Sequence, residues 1–245
     1  MEPKRRASAR WLESPLGARV LAEETALARL ALDDVFGFEL LQVGGWGRDR
    51  PLLAAARTQH TTVVCPQAGA GSTLCAALDS LPLRSDSIDA ILLPHTLELV
   101  DDPYAVLREA ERVLCAGGCL LICGFNPWSG WGLRRMFGRA LRRAPFPPGT
   151  RRLLSERRLC DWVALLGLDI DRVYGYLGPL PVAGAVRPGR EPHAVQRNAF
   201  GAGAYWLKAR KRVQTLTLLR PRRRVRQRLL VGAPEATRTV GHDRR

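Results

Sequence analysis

The sequence predicts an α/β fold: a doubly wound, largely parallel sheet with helices on both faces. Three observations carry that expectation. Short apolar or β-branched runs at 38–43, 61–65, 87–93 and 119–125 alternate with segments of helical character. Several of these runs are apolar on consecutive residues, as strands covered on both faces are. Two helix starts are marked by a capping side chain followed by proline, Ser14-Pro15 and Asp102-Pro103.

Taken in order, the elements read as follows. Ser14-Pro15 opens a helix with Leu16, Val20, Leu27 and Leu30 along one face, and Asp33-Asp34 end it. FELLQV (38–43) is a strand that runs into Gly44-Gly45-Trp46-Gly47. Pro51 to Arg57 reads as a helix, TTVVC (61–65) as a second strand, and 68–73 as a loop or the start of a weak helix. SIDAILL (87–93) is a buried strand. The helix from Asp102-Pro103 carries Leu107, Ala110 and Leu114 and is expected to end at Gly117-Gly118, before the strand CLLICGF at 119–125. Beyond residue 126 the pattern predicts a basic amphipathic helix over 130–143 and a linker at 145–149. A Ser155-capped helix follows, with Leu159, Trp162, Val163 and Leu166 on one face, stopped by Gly167. LDIDRVYGY (168–176) is a strand, 177–202 a loop-rich insertion, and 204–213 a final strand with Tyr205 and Trp206 in the core. The expected organisation is an N-terminal basic segment and helical cap (1–35), one domain (36–213) and a basic, flexible tail (214–245).

Composition narrows the classes. With 245 residues, 46% apolar and 25% charged, the chain is neither disordered nor collagen-like. No apolar run approaches the roughly 20 residues that span a bilayer, and the basic N-terminus is not followed by the apolar core of a signal peptide. A soluble, cytoplasmic protein is expected. The six cysteines (65, 75, 115, 119, 123 and 160) form no C-x-x-C pair, and the four histidines are scattered, so neither a disulfide framework nor a metal site is expected. The net charge of +15 divides into +3 over 1–10, −7 over 11–125 and +19 over 126–245. Ten Lys and Arg from Lys208 to Arg228, with no acid among them, suit an anionic partner such as nucleic acid or an anionic surface.

Two constellations could carry chemistry. Gly44, Gly45 and Gly47 follow a strand closely, which lets backbone N–H groups approach a ligand; a tight structural turn would use the same residues. The second is the run from Asp79 to Ile122, with Leu81-Pro82, Ser87-Ile88-Asp89, His95 in PHTLE, Asp102-Pro103, Arg112-Val113-Leu114 and Gly117-Gly118. In order and spacing it resembles the S-adenosylmethionine-dependent class I methyltransferases of the type 11 group, and with the glycine cluster the likeness covers about 38–125.

The resemblance implies a Rossmann-like sheet of the class I methyltransferase type and S-adenosylmethionine as cofactor. The cofactor would lie along Gln42, Gly44, Gly45 and Gly47, near Asp79, Ser80 and Leu81, and beside Leu93. His95 is implied at the reaction centre, either as a general base or as a residue that shapes the pocket through its turn. Asp89 is read as structural, at the start of a buried strand. The chain departs from the family at several points. Gln42 stands where an acid is usual, Trp46 where a glycine is common, and Cys65-Pro66-Gln67 where a ribose-binding carboxylate ends the second strand. Ala77 takes the place of the adenine-binding aspartate, with Asp79 two residues further on. The motifs that amino and cytosine-C5 methyltransferases carry at this point are absent after the strand at 87–93, where Leu93-Pro94-His95-Thr96 stands. Two alternatives stand beside an enzyme with an unknown methyl acceptor: a non-catalytic module of the same fold that binds polyanions through its basic half, and an NAD-dependent enzyme.

Overall fold

The computed structural model describes residues 2–69, 71–140, 148–178, 180 and 201–213. They belong to a unit of residues 1–214. The helices are α1 (Glu2–Leu12), α2 (Pro15–Leu32), α3 (Thr96–Leu99), α4 (Pro103–Val113), α5 (Gly130–Ala140) and α6 (Glu156–Leu165). The strands are β1 (Phe36–Val43), β2 (Arg57–Cys65), β3 (Leu74–Cys75), β4 (Ile88–Pro94), β5 (Leu114–Phe125), β6 (Leu168–Tyr176) and β7 (Ala204–Lys211). They form one seven-stranded sheet in the order β3-β2-β1-β4-β5-β7-β6. Pairings from β3 to β5 are parallel, and β7 runs antiparallel to both of its neighbours.

Side chains alternate between the two faces, as period-two geometry requires. Leu40, Leu92, Leu121, Cys123 and Phe125 join a core with α2 and Trp131. Leu41, Leu93, Leu120 and Ile122 join a second core with α4 and α6. The doubly wound expectation therefore holds.

Local chemistry explains the helix starts. The Ser14 hydroxyl accepts from the Gly17 N–H at 3.2 Å with Pro15 behind it. The Asp102 carboxylate accepts from Tyr104 and Ala105 N–H groups at 3.0 and 3.1 Å, and Ser155 caps α6. The face of α2 differs from its expected one: Val20, Glu24, Leu27, Ala28 and Ala31 are buried, whereas Leu30 is 57% exposed.

Two further expectations are corrected. The helix expected over Pro51 to Arg57 is a single 3-10 turn, Pro51–Leu53. Asp49 and Arg50 before it adopt left-handed φ of 56° and 55°, and Arg57 is already paired with Phe36 in the sheet, so tertiary pairing outweighs local helical preference. Helix α4 ends at Val113 and not at Gly117-Gly118. Leu114 is extended and pairs with Ile88, the register shifts, and pairing resumes at Cys119 with Ala90. Gly117, with φ of 79°, lies in that irregular stretch.

Asp89 is structural, as read from sequence. Its Oδ2 accepts from the Phe38 and Glu39 N–H groups at 2.7 and 3.0 Å, tying the start of β1 to β4. Asp89→Ala is expected to lower stability by about 1–2 kcal/mol, read by urea melts; an unchanged midpoint would mean that water replaces both bonds without cost.

Tyr205 and Trp206 are core residues. The basic residues of β7, and Arg212 just after it, are paired with carboxylates of the same unit. Lys208 pairs with Asp34 and donates to the Ala31 carbonyl; Arg210 pairs with Asp34 and Asp171, Lys211 with Asp86 and Glu111, and Arg212 with Asp169. The remaining six arginines of the run, from 220 to 228, lie outside the described residues, as do 141–147, most of the insertion at 177–202 and the tail. All six cysteines are free, and no described helix is long and apolar enough to cross a membrane.

Candidate functional site

The strand order reverses between β1 and β4. In open parallel sheets, ligands bind at the carboxyl ends of strands at such a switch point. Here the turn after β1 (Gly44 to Gly47), the turn after β4 (His95, Thr96), Phe125 at the end of β5 and Tyr176 at the end of β6 meet Glu24 of α2.

Glu24 organises this end. Its Oε2 accepts from the Trp46 indole N–H at 2.6 Å. Its Oε1 receives the Tyr176 hydroxyl at 2.8 Å and faces His95 Nε2 at 2.7 Å. The other ring nitrogen, Nδ1, faces Glu98 Oε2 at 3.0 Å, and Glu98 Oε1 accepts from the Phe125 N–H at 2.6 Å. Glu24, Glu98 and His95 are all within 1% of full burial. A carboxylate can only accept, so a ring flanked by two of them donates from both nitrogens and is an imidazolium. Burial opposes that charge, but the attraction of Glu24 and Glu98 outweighs it and raises the His95 pKa to about 9. Burial pushes the Glu98 carboxyl up despite the pull of His95, and burial beside Glu24 pushes the Tyr176 hydroxyl well above its ordinary value. The cluster thus sets two buried carboxyl groups against one imidazole ring.

Aromatic rings wall the cluster. The His95 ring lies 4.2 Å from Phe125, stacked, and 4.4 Å from Trp46 between centroids. Phe125 stacks in turn on Trp131 at 5.2 Å, and Trp11 contacts both Trp46 and Phe125 at 6.3 Å. His95 itself is left-handed, with φ of 53°, a strained conformation that the two carboxylates hold in place.

The sequence candidates fall in three places. Gln42 and Gly44 are at the switch point: Gln42 is buried, its Nε2 donates to the Gly44 carbonyl at 3.0 Å, and its Oε1 has no partner. Gly44 has φ of 93°, and a Cβ there would meet the Thr96 hydroxyl oxygen at 2.7 Å. Thr96 also donates to the Val43 carbonyl, so it fills the space in front of that glycine. Gly47, with φ of 78°, turns the chain against Pro51, and Gly45 is half-buried. Asp79 and Ser80 are exposed, while Leu81 is buried and its N–H is taken by Glu109 at 2.7 Å. Leu93 is fully buried in the core of the opposite face, with Leu41 and Leu97.

Glu24, Glu98 and Tyr176 were missed as site residues. Glu24 left a signal: it lies four residues after Val20 and three before Leu27, an acid on the buried stripe of a helix. Glu98 lies three residues after His95. Tyr176, at a strand end, left no local signal.

Residues 41–122 match the model of a methyltransferase domain family. The uncharacterized protein YafS of Escherichia coli (strain K12) is 35% identical over 136 residues, 56% of this chain and 55% of YafS. A shorter match, 37% identical over 70 residues, covers 29% of this chain and 24% of the malonyl-[acyl-carrier protein] O-methyltransferase of Laribacter hongkongensis. The chain spans about half the length of the first curated relatives it matches. The crystal structure of a SAM-dependent methyltransferase from Thermotoga maritima superimposes with a TM-score of 0.56 at 20% identity, covering 83% of this chain and 93% of that one, a likeness of fold.

Proposed function

We propose, for a chain whose residues 41–122 belong to the methyltransferase domain family and whose sheet has the class I methyltransferase fold, that it binds S-adenosylmethionine and transfers its methyl group to an acceptor. The observation that carries this reading is the buried, carboxyl-bearing, aromatic-walled cluster at the switch point. S-adenosylmethionine, when bound, supplies a methyl group on a positively charged sulfur. The donor set of this chain fits such a ligand in chemistry: a pair of buried carboxyl groups, ring faces that attract cations, and Gln42 Oε1, an unpartnered acceptor for an N–H. The Trp46 indole is buried in this set, its ring 4.4 Å from that of His95 and its N–H on Glu24.

In this reading Gln42 and the backbone after β1 hold the polar end of the donor, and exposed Asp79 and Ser80 offer hydrogen bonds to its nucleoside end. The rings of Trp11, Phe125 and Trp131 exclude water. His95 has both nitrogens engaged as donors and no lone pair for an acceptor's proton, which favours the pocket-shaping role over that of general base. Just beyond β5, Trp128 is 82% exposed, with Met136 and Phe137 also exposed on α5. That apolar surface supports an acceptor with an apolar part.

Calorimetric titration tests the reading. S-adenosylmethionine and S-adenosylhomocysteine are expected to bind in the micromolar range or weaker, about −8 kcal/mol at 1 μM, with no heat from NAD. Absence of binding at millimolar ligand would favour the non-catalytic module.

A further inference from the structure

Trp46 occupies an unusual place. It lies in the turn after β1, four residues beyond Gln42, at the switch point where a ligand of this sheet would enter. It is only 2% exposed. Its ring packs on His95 at 4.4 Å and on Trp11 at 6.3 Å, and its N–H is bonded to Glu24 at 2.6 Å. Glu24 is the buried acid on the otherwise apolar face of α2. A carboxylate placed among apolar residues costs several kcal/mol unless it is paired. Glu24 Oε1 already meets His95 Nε2 at 2.7 Å and the Tyr176 hydroxyl at 2.8 Å, and the indole, a neutral donor, occupies its second oxygen, Oε2.

We propose that Trp46 is the gate of the donor site, latched to Glu24 of α2, so that a ligand is admitted only when the indole leaves the carboxylate, which then faces the ligand's positive charge. The proposal rests on the S-adenosylmethionine reading above. The gate accounts for three observations together. A bulky side chain stands on the turn where the sheet presents backbone to a ligand. The buried cluster sets two carboxyl groups against one imidazole ring. Gln42 Oε1 has no partner although it is almost fully buried. It also sets a preference, because S-adenosylmethionine carries one more positive charge than S-adenosylhomocysteine. Glu24 should favour the charged ligand once the gate is open.

The test is calorimetry with both ligands on the full chain and on Trp46→Gly, Trp46→Phe and the double variant Trp46→Gly/Glu24→Gln, each checked by a thermal melt. Trp46→Gly is expected to bind both ligands at least tenfold more tightly than wild type, with S-adenosylmethionine ahead of S-adenosylhomocysteine. The double variant is expected to lose that preference. Trp46→Phe keeps a ring but lacks the N–H to Glu24, and is expected to bind several-fold more tightly than wild type; it decides the matter if Trp46→Gly does not fold. Folded Trp46 variants with wild-type or weaker affinity would overturn the gate. A charge preference that survives Glu24→Gln would overturn the role of Glu24. If neither wild type nor any folded variant binds either ligand, the donor reading itself fails, an outcome distinct from the other two.

Discussion

Replacing Glu24 by alanine is expected to cost about 3–5 kcal/mol of folding stability, a large share of what a domain of this size has. The substitution removes the acceptor of the Trp46 N–H, the Tyr176 hydroxyl and His95 Nε2 at once. It leaves a fully buried imidazolium with Glu98 alone. Glu24→Gln separates charge from shape. Its amide oxygen still accepts from His95 and Tyr176, while its NH2 confronts the Trp46 N–H donor to donor. The expected loss is smaller, about 1–3 kcal/mol, the cost of one buried unsatisfied group. Urea melts of wild type and both variants at neutral pH give the comparison. If alanine costs under 1 kcal/mol, Glu24 is not the centre of the network.

Between pH 6.5 and 9 the protein is expected to lose stability as pH rises. The folded-state pKa of His95, about 9, lies above its ordinary value of 6.5, so the native state binds the extra proton across this window. The stabilisation is complete below 6.5 and disappears as pH climbs through 9. At 1.36 kcal/mol per unit it amounts to on the order of 3 kcal/mol. Glu98, also raised, acts in the same direction from lower pH. Glu109, held low chiefly by its hydrogen bond from Arg112, acts in the opposite direction, with stability lost as pH falls through the carboxylate range. The optimum is therefore expected on the mildly acidic side of neutral. Denaturant melts at pH 6, 7.5 and 9 measure the slope, and His95→Gln should be less stable at pH 6 but flat across the window. Equal wild-type stability at pH 6 and 9 would contradict the doubly paired imidazolium.

The elements read correctly from sequence are those whose causes are local. Ser14, Asp102 and Ser155 cap their own helices within three residues. The strands at 38–43, 87–93 and 119–125 announce themselves because both faces of a central parallel strand are apolar. The errors lie where a remote partner overrode a local preference. Residues 51–57 favour a helix, but Arg57 is drawn into the sheet by Phe36, and the end of α4 is decided by Leu114 pairing with Ile88.

The site divides along the same line. By itself the sequence determined the fold class, placed the glycine turn at the end of the first strand, marked His95 as the titratable residue after the fourth, and showed that Trp46 and Gln42 replace the expected glycine and acid. Only the tertiary structure decided what surrounds those residues. Glu24 meets His95 across 71 residues of chain and Tyr176 across 152, distances that no local pattern encodes. A side chain's charge state depends on what surrounds it, and here remote carboxylates turn a candidate base into a buried cation. Likewise, the identity of Trp46 is local, but the burial of its ring goes with Glu24 on α2, because a buried carboxylate and an indole N–H each lower their desolvation cost by finding the other.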